Sequence, residues 1–133
     1  MVKSIFLFLD RVKNKILKEY REFIFLCRTG QQVNLVKNMT LINTNLKIGE
    51  NVTIYPDVML FGDGLIEIGD NVSIGNGTLI YASKSGGVSI GADTQIAGQC
   101  YIIDTDHGIN GGKLIREQDN TSAPIKIGQD VWV

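Results

Sequence analysis

The sequence predicts an all-β solenoid, in which short strands stack turn upon turn, preceded by one α-helix. From residue 36 onward an aliphatic residue returns every six positions with a few breaks. Four of these residues are followed by glycine and, two residues later, by Asn or Asp, and the position two residues before each is usually compact or β-branched. The repeating positions are Val36, Ile42, Ile48, Ile54, Leu60, Ile68, Ile74, Ile80, Ile90, Ile96, Ile102, Ile127 and Val133.

A six-residue period fits a short strand followed by a corner, because each such unit buries its aliphatic residue only against the turns above and below. An antiparallel sandwich is the alternative, but it would show two-residue alternation with hairpin turns of variable spacing. The solenoid is therefore favoured. The glycines that follow the repeat, Gly49, Gly69, Gly91 and Gly128, are expected to adopt corner conformations that a side chain would resist.

Residues 1–30 are predicted to form an amphipathic helix, and residues 31–133 the solenoid with an inserted loop over 108–126. The helix is expected from Ser4, as N-cap, to Cys27, with Gly30 as the stop. Its apolar residues keep helical spacing: Ile5, Phe8, Leu9, Val12, Ile16, Tyr20, Phe23 and Cys27.

Two roles compete for this helix. It can pack its apolar stripe on the solenoid or on a second subunit, or it can lie on a membrane surface through residues 4–27, with its basic residues toward the head groups. Glu19 and Glu22 dilute the basic face, which favours packing. The basic residues concerned are Lys13, Lys15, Lys18 and Arg21. A transmembrane span is excluded because charges between Asp10 and Glu22 would lie in mid-bilayer.

The net charge of −1 conceals an asymmetry. Residues 1–30 hold seven basic and three acidic residues, and the rest holds six basic and eleven acidic ones. Nucleic acid is therefore not an expected partner of the repeat. Two cysteines, Cys27 and Cys100, are too few for a disulfide framework, and Cys100 falls at a compact repeat position, where it should be packed and inert. A cytoplasmic location, with the inner face of the membrane as an option, is the default.

The only histidine lies where the repeat is most strongly interrupted. Extra residues enter the third hexad of each turn: two after Leu65, four after Ser85 and nineteen after His107. Asp106 cannot point into an aliphatic axis, so the chain should leave the regular path near it. Long loops in compact domains are usually functional. Since Val133 lies only one residue into a hexad, the sequence is also expected to be a fragment lacking a cap.

These motifs resemble those of a known family. The Ile-Gly-x-Asn/Asp hexads, the run Asp104-Thr105-Asp106-His107 before a long loop, and the return from Pro124 through Trp132 to Val133 are similar to those of the hexapeptide-repeat acyltransferases. The most similar members are the sugar and polysaccharide O-acetyltransferases, related to maltose, galactoside and serine acetyltransferases. The resemblance covers residues 36–133.

The resemblance implies a left-handed parallel β-helix, usually a homotrimer, with acetyl-CoA bound between neighbouring subunits. It implies acetyl transfer to a hydroxyl of a sugar or surface-polysaccharide precursor, with His107 as general base and no metal. Asp104 and Asp106 are candidates to orient the imidazole, Trp132 matches a position near the cofactor, and Asn76 matches a substrate-binding asparagine one position out of step. Attack should be direct, without a covalent enzyme intermediate.

Two alternatives remain. The same fold serves a zinc carbonic anhydrase class that needs three histidines, which this chain lacks. The chain could instead be a non-catalytic solenoid that acts as a scaffold or oligomerisation protein.

Overall fold

The computed structural model describes residues 2–30, 32–36, 39–43 and 45–133, and within the helix the side chains of residues 8–26. Helix α1 spans Val2–Thr29. The strands are β1 Asn34–Leu35, β2 Thr40–Leu41, β3 Leu46–Ile48, β4 Thr53–Ile54, β5 Met59–Phe61, β6 Ile66–Ile68, β7 Ser73–Ile74, β8 Leu79–Tyr81, β9 Val88–Ile90, β10 Gln95–Ile96, β11 Tyr101–Ile103, β12 Thr105–Asp106, β13 Thr121–Ser122 and β14 Ile125–Ile127. The predicted all-β solenoid with an N-terminal helix is confirmed.

Three parallel four-stranded sheets form the sides of the solenoid. Face 1 contains β1, β4, β7 and β10; face 2 contains β2, β5, β8 and β11; face 3 contains β3, β6, β9 and β14. Each strand pairs with the strand one turn along the chain, for example Ile54 with Ile74 and Leu60 with Ile80. The remaining two strands, β12 and β13, form an antiparallel ribbon outside the coil.

The repeat residues from Ile48 to Ile102 fill the interior, whereas Ile127 is partly buried and Val133 is 44% exposed. Ile54, Leu60, Ile74 and Ile80 have no solvent-accessible surface, and Ile48, Ile68, Ile90, Ile96 and Ile102 are also buried. Burying an aliphatic side chain of this size contributes about 1.5–3 kcal/mol. The stacked column therefore supplies the main driving force for coiling the chain.

The predicted register is wrong by one residue in the first turn. Leu35 pairs with Ile54 and Leu41 with Leu60, so these leucines hold the interior positions. Val36 and Ile42 are exposed instead, Ile42 by 62%. The first turn has one extra residue at its third corner, and a one-residue slip moves a side chain to the opposite face of a strand. The six-residue spacing did not reveal this shift, because an aliphatic residue occupies both the inward and the adjacent outward position at β1 and β2.

The expected role of the repeat glycines is also wrong. Gly49, Gly69 and Gly91 are not among the glycines with left-handed backbone. They lie against the next turn instead: a Cβ on Gly69 would come within 2.7 Å of the Ala92 backbone nitrogen. Lack of a side chain is thus required for close approach between turns.

Left-handed backbone occurs two residues later, at Asn51, Asn71, Asp93 and Asp130, with φ between 55° and 62°. Asn and Asp tolerate this region better than other residues with side chains. Their side chains also form a ladder between turns: the Asn51 amide donates to Asn71 over 3.2 Å, and the Asn71 amide donates to Asp93 over 2.8 Å. The Asn/Asp of the repeat therefore both shapes and links the turns.

Helix α1 contacts the first turns through its polar side. Lys18 Nζ donates to Asn34 Oδ1 over 3.0 Å, and Glu22 Oε1 accepts from the Leu35 N–H over 3.0 Å. Phe25 is buried at the same contact. The apolar stripe does not pack on the solenoid, since Phe8, Leu9, Val12, Ile16, Tyr20 and Phe23 are exposed. Packing on a second subunit, the other expected contact, stays a prediction, and the side chains of Ile5 and Cys27 lie outside the described ones.

The ends of α1 differ in how well the sequence located them. Ser4 lies inside the helix, so its predicted N-cap role is wrong. Gly30 is confirmed as the stop, with φ of 74° and an N–H that donates to the Leu26 carbonyl over 2.7 Å.

Among the described residues, no helix combines the length and apolar character needed to cross a bilayer.

Candidate functional site

The insertions all enter at one corner, between face 2 and face 3, as predicted. This corner comprises residues 62–65 in the second turn, 82–87 in the third and 104–124 in the fourth. The predicted bounds of the long insertion, 108–126, are too late, because Ile125 belongs to β14. Ile66 and Val88, interpreted as inserted residues, are likewise buried strand residues. We call residues 104–124 the long corner.

Asp104 begins the long corner and holds it to the turn below. It is only 5% exposed. Its carboxylate accepts from the N–H groups of Ser83 (2.8 Å) and Gly87 (2.6 Å) and from the hydroxyls of Ser83 (3.0 Å) and Thr105 (2.9 Å). Burial alone would raise the pKa of Asp104, but these donors hold it below the ordinary range. Asp104 is therefore an ionised anchor of the corner.

His107 follows three residues later with its side chain exposed. Its backbone N–H donates to Asp106 Oδ1 over 2.8 Å. Within the part of the chain that the structure describes, the imidazole forms no hydrogen bond. The orienting contacts expected from Asp104 and Asp106 are thus not formed in the single chain. Asp106 is exposed, which confirms that the chain leaves the regular path there.

The remainder of the long corner has its own local structure. The β12–β13 ribbon closes its base through Thr105 with Ser122 and Asp106 with Thr121. Further out, Gln118 Oε1 accepts from the Asn110 N–H over 2.8 Å, and its Nε2 donates to the Asn110 carbonyl over 3.1 Å. These contacts fold the loop back toward Gly108, so the chain directly after His107 is held in place.

Sequence reasoning missed three apolar residues on this loop. Ile109, Leu114 and Ile115 are exposed. They lie among the glycines and polar residues of the loop. Their signal was present in the sequence, but the glycines and charges around them dominated its interpretation.

The other two candidate residues, Asn76 and Trp132, lie on other parts of the solenoid than His107. Asn76 is exposed at the corner between faces 1 and 2. Trp132 is 83% exposed and extends face 1 by a bridge to Gln95. The single chain therefore does not bring Asn76, Trp132 and His107 together.

A shallow groove of about 670 Å³ runs along face 3, the face that the long corner leads into. Lys47, Glu67, Ser89 and Lys126 line it, and the Lys47 ammonium lies 2.8 Å from the Glu67 carboxylate.

Cys100 is partly buried against the core, and its N–H donates to the Thr78 hydroxyl over 3.2 Å. In the described residues, no three His, Cys, Asp or Glu side chains are grouped so as to hold a metal ion.

Comparison with known proteins gives no match. No protein-family profile, no curated protein and no solved structure is significantly similar to this chain. The resemblance to acyltransferases therefore depends on the motifs quoted above, and the structure supports it at the level of the β-solenoid.

Proposed function

We propose that the protein is an acetyl-CoA-dependent O-acetyltransferase acting on a hydroxyl of a sugar or surface-polysaccharide precursor. The observation that carries the proposal is the position of the single histidine. Its imidazole is exposed, forms no hydrogen bond among the described residues, and lies at the root of the longest corner of the solenoid. A free imidazole at such an edge can meet a substrate from solvent, and the anchored Asp104 fixes the backbone on which it is mounted.

The chemistry requires one base. Neutral imidazole accepts the proton of the acceptor hydroxyl while the hydroxyl oxygen attacks the thioester carbonyl carbon. The tetrahedral oxyanion is stabilised by N–H groups of the corner, and its collapse breaks the C–S bond. The departing CoA sulfur takes the proton from the imidazolium, so acetyl ester and free thiol are the products. No covalent nucleophile is needed.

In the proposed enzyme the active site lies between subunits of a homotrimer, and residues of two chains complete it. Asn76 and Trp132 lie on other edges of the prism than His107, so a neighbouring chain would have to supply the missing contacts. The exposed Ile109, Leu114 and Ile115 give the long corner an apolar surface with which to contact that neighbour. The imidazole would also find its orienting partner there.

The groove on face 3 suits acetyl-CoA, the donor of the acetyl group. It extends across the four strands of face 3, and Lys126 supplies a positive charge that complements the phosphates of CoA. Acetyl-CoA bound along this face would lead toward the long corner, which adjoins it. Carboxylates and phosphates repel, so Glu67 would have to remain paired with Lys47.

The first test is release of free thiol from acetyl-CoA, measured with a panel of hexoses, amino sugars and nucleotide-linked sugars. His107→Ala should lower the acceptor-dependent rate by about 10²–10⁴. Asp63→Ala is the matched control, because Asp63 is an exposed residue of the same corner two turns away. An unchanged rate in His107→Ala would end the assignment.

One observation favours the second candidate, a non-catalytic scaffold. In the described structure neither Asp104 nor Asp106 accepts a hydrogen bond from the imidazole, and a base without an orienting partner is poorly prepared for catalysis. Isothermal titration with CoA separates the two: the transferase should bind CoA, and a scaffold should give no heat of binding.

A further inference from the structure

The outward face of helix α1 is an apolar surface that the proposed function does not use. We call Leu9, Val12, Ile16, Tyr20 and Phe23 the outer stripe. Ile16, Tyr20 and Phe23 are each between 59% and 60% exposed. Monomeric proteins seldom leave a contiguous row of large apolar side chains in water.

The stripe lies on the opposite side of the helix from the residues that hold it to the solenoid, and only Tyr20 and Phe23, at its C-terminal end, also line the cavities between helix and solenoid. At 3.6 residues per turn its five members fall within an arc of roughly 80°. Lys18, Glu22 and Phe25, which contact the solenoid, lie about half a turn around the helix. The polar side is thus fixed to the protein, and the strongly amphipathic helix presents its apolar side outward.

The charged residues of α1 indicate which kind of surface covers the outer stripe. Lys13 and Lys15 are exposed and border the stripe on its two sides, and Glu19 lies between Lys15 and the stripe, 4.0 Å from the Lys15 ammonium. Residues 1–30 carry seven basic against three acidic residues, whereas the rest of the chain is acidic. A second copy of the helix would bring the same positive charge, so like charges would meet. An anionic surface complements the helix and repels the solenoid.

We propose that α1 binds the surface of an anionic lipid bilayer, with the outer stripe among the acyl chains and Lys13 and Lys15 at the head-group phosphates. A helix of this kind lies in the plane of the interface, with aromatic and aliphatic residues buried and lysines at its borders. The solenoid is held to the opposite side of α1 by Lys18 and Glu22, so the stripe can insert without breaking either contact. This inference is independent of the proposed transferase activity.

The test is sedimentation of the full chain with vesicles of phosphatidylcholine alone and of phosphatidylcholine mixed with phosphatidylglycerol. Binding should be strong to the mixed vesicles, weak to the neutral ones, and reduced by salt, which screens exposed charges. The double variant Lys13→Gln, Lys15→Gln should lower the partition constant for mixed vesicles roughly 30-fold, since each lysine near an anionic surface contributes about fivefold.

A matched pair of variants tests the stripe itself. Ile16→Glu should lower binding at least about tenfold, because it places a charge among acyl chains. Asn14→Glu adds the same charge at an exposed position off the stripe and should retain most binding. Both positions are exposed, so far-ultraviolet circular dichroism should show the same helix content in both variants as in the unmodified chain.

Two results would overturn the inference. One is equal sedimentation of the unmodified chain and Ile16→Glu. The other is failure of the unmodified chain to bind mixed vesicles; if gel filtration then shows that Ile16→Glu lowers the oligomeric mass while Asn14→Glu does not, the stripe is a contact between copies of the chain.

Discussion

Replacing Asp104 with Asn should weaken the fold in a pH-dependent way. The carboxylate is buried at the start of the long corner and accepts from the Ser83 and Gly87 N–H groups and from two hydroxyls. Asparagine offers one oxygen and one NH₂ group in the same space. The NH₂ group would face N–H donors, so at least one of them loses its acceptor.

The expected loss at neutral pH is about 3 kcal/mol. Hydrogen bonds to charged groups contribute about 1.5–3 kcal/mol each, and a buried donor left without a partner costs about 1–3 kcal/mol. Asp106→Asn is the matched control two residues away. Asp106 is exposed and accepts only from the neighbouring His107 N–H, so its replacement should change stability by less than about 0.5 kcal/mol.

The pH dependence follows from the lowered pKa of Asp104. A carboxyl group whose pKa is lower in the folded than in the unfolded state stabilises the fold above its unfolded pKa, about 3.9. That stabilisation is lost as the pH falls through the folded-state value. The difference between the unmodified chain and Asp104→Asn should therefore be constant near pH 7 and shrink below about pH 5.

Urea denaturation, followed by circular dichroism between pH 7 and about pH 3, measures this difference. Comparing the two proteins at each pH removes the pH dependence that they share. The reasoning is refuted by a variant that matches the unmodified chain at pH 7, or by a loss that stays constant on acidification.

Three further changes test the architecture by the same denaturation assay. Gly69→Ala should cost about 1–3 kcal/mol because its Cβ would meet the Ala92 backbone, whereas Gly128→Ala, whose Cβ would meet only Val131 at 3.7 Å, should be tolerated; equal losses contradict the close-approach argument. Ile74→Ala should cost about 2–5 kcal/mol and the exposed Ile42→Ala less than about 0.5 kcal/mol, and a large loss at Ile42 would restore the original register. Asn71→Ala should cost more than Asn71→Gly, since only alanine is strained at φ of 57°, and the reverse order would show that strain is not decisive.

The sequence was sufficient for the architecture because the six-residue period appears directly in the positions of Ile54, Leu60, Ile74 and Ile80. It failed in the first turn, where aliphatic residues occupy both the inward and the outward position. Periodicity cannot choose between Leu35 and Val36, whereas pairing with the turn above does. The glycines were located correctly but explained wrongly, since contact between turns is invisible in a single repeat.

The candidate site was predictable in position and not in its contacts. The interrupted repeat located His107 at the root of the long corner. It could not reveal that Asp104 turns toward Ser83 and Gly87, because those donors are 17 to 21 residues away in the chain. The helix shows the same limit: the pattern identified its apolar stripe, but the direction of the stripe depends on polar contacts made by Lys18 and Glu22.

Steady-state kinetics of the unmodified protein and His107→Ala, combined with titration calorimetry of acetyl-CoA, tests the account most directly. If His107 is the base, the affinity for acetyl-CoA stays within about twofold while kcat falls by about 10²–10⁴. A variant that binds acetyl-CoA and transfers its acetyl group as fast as the unmodified protein would contradict the account.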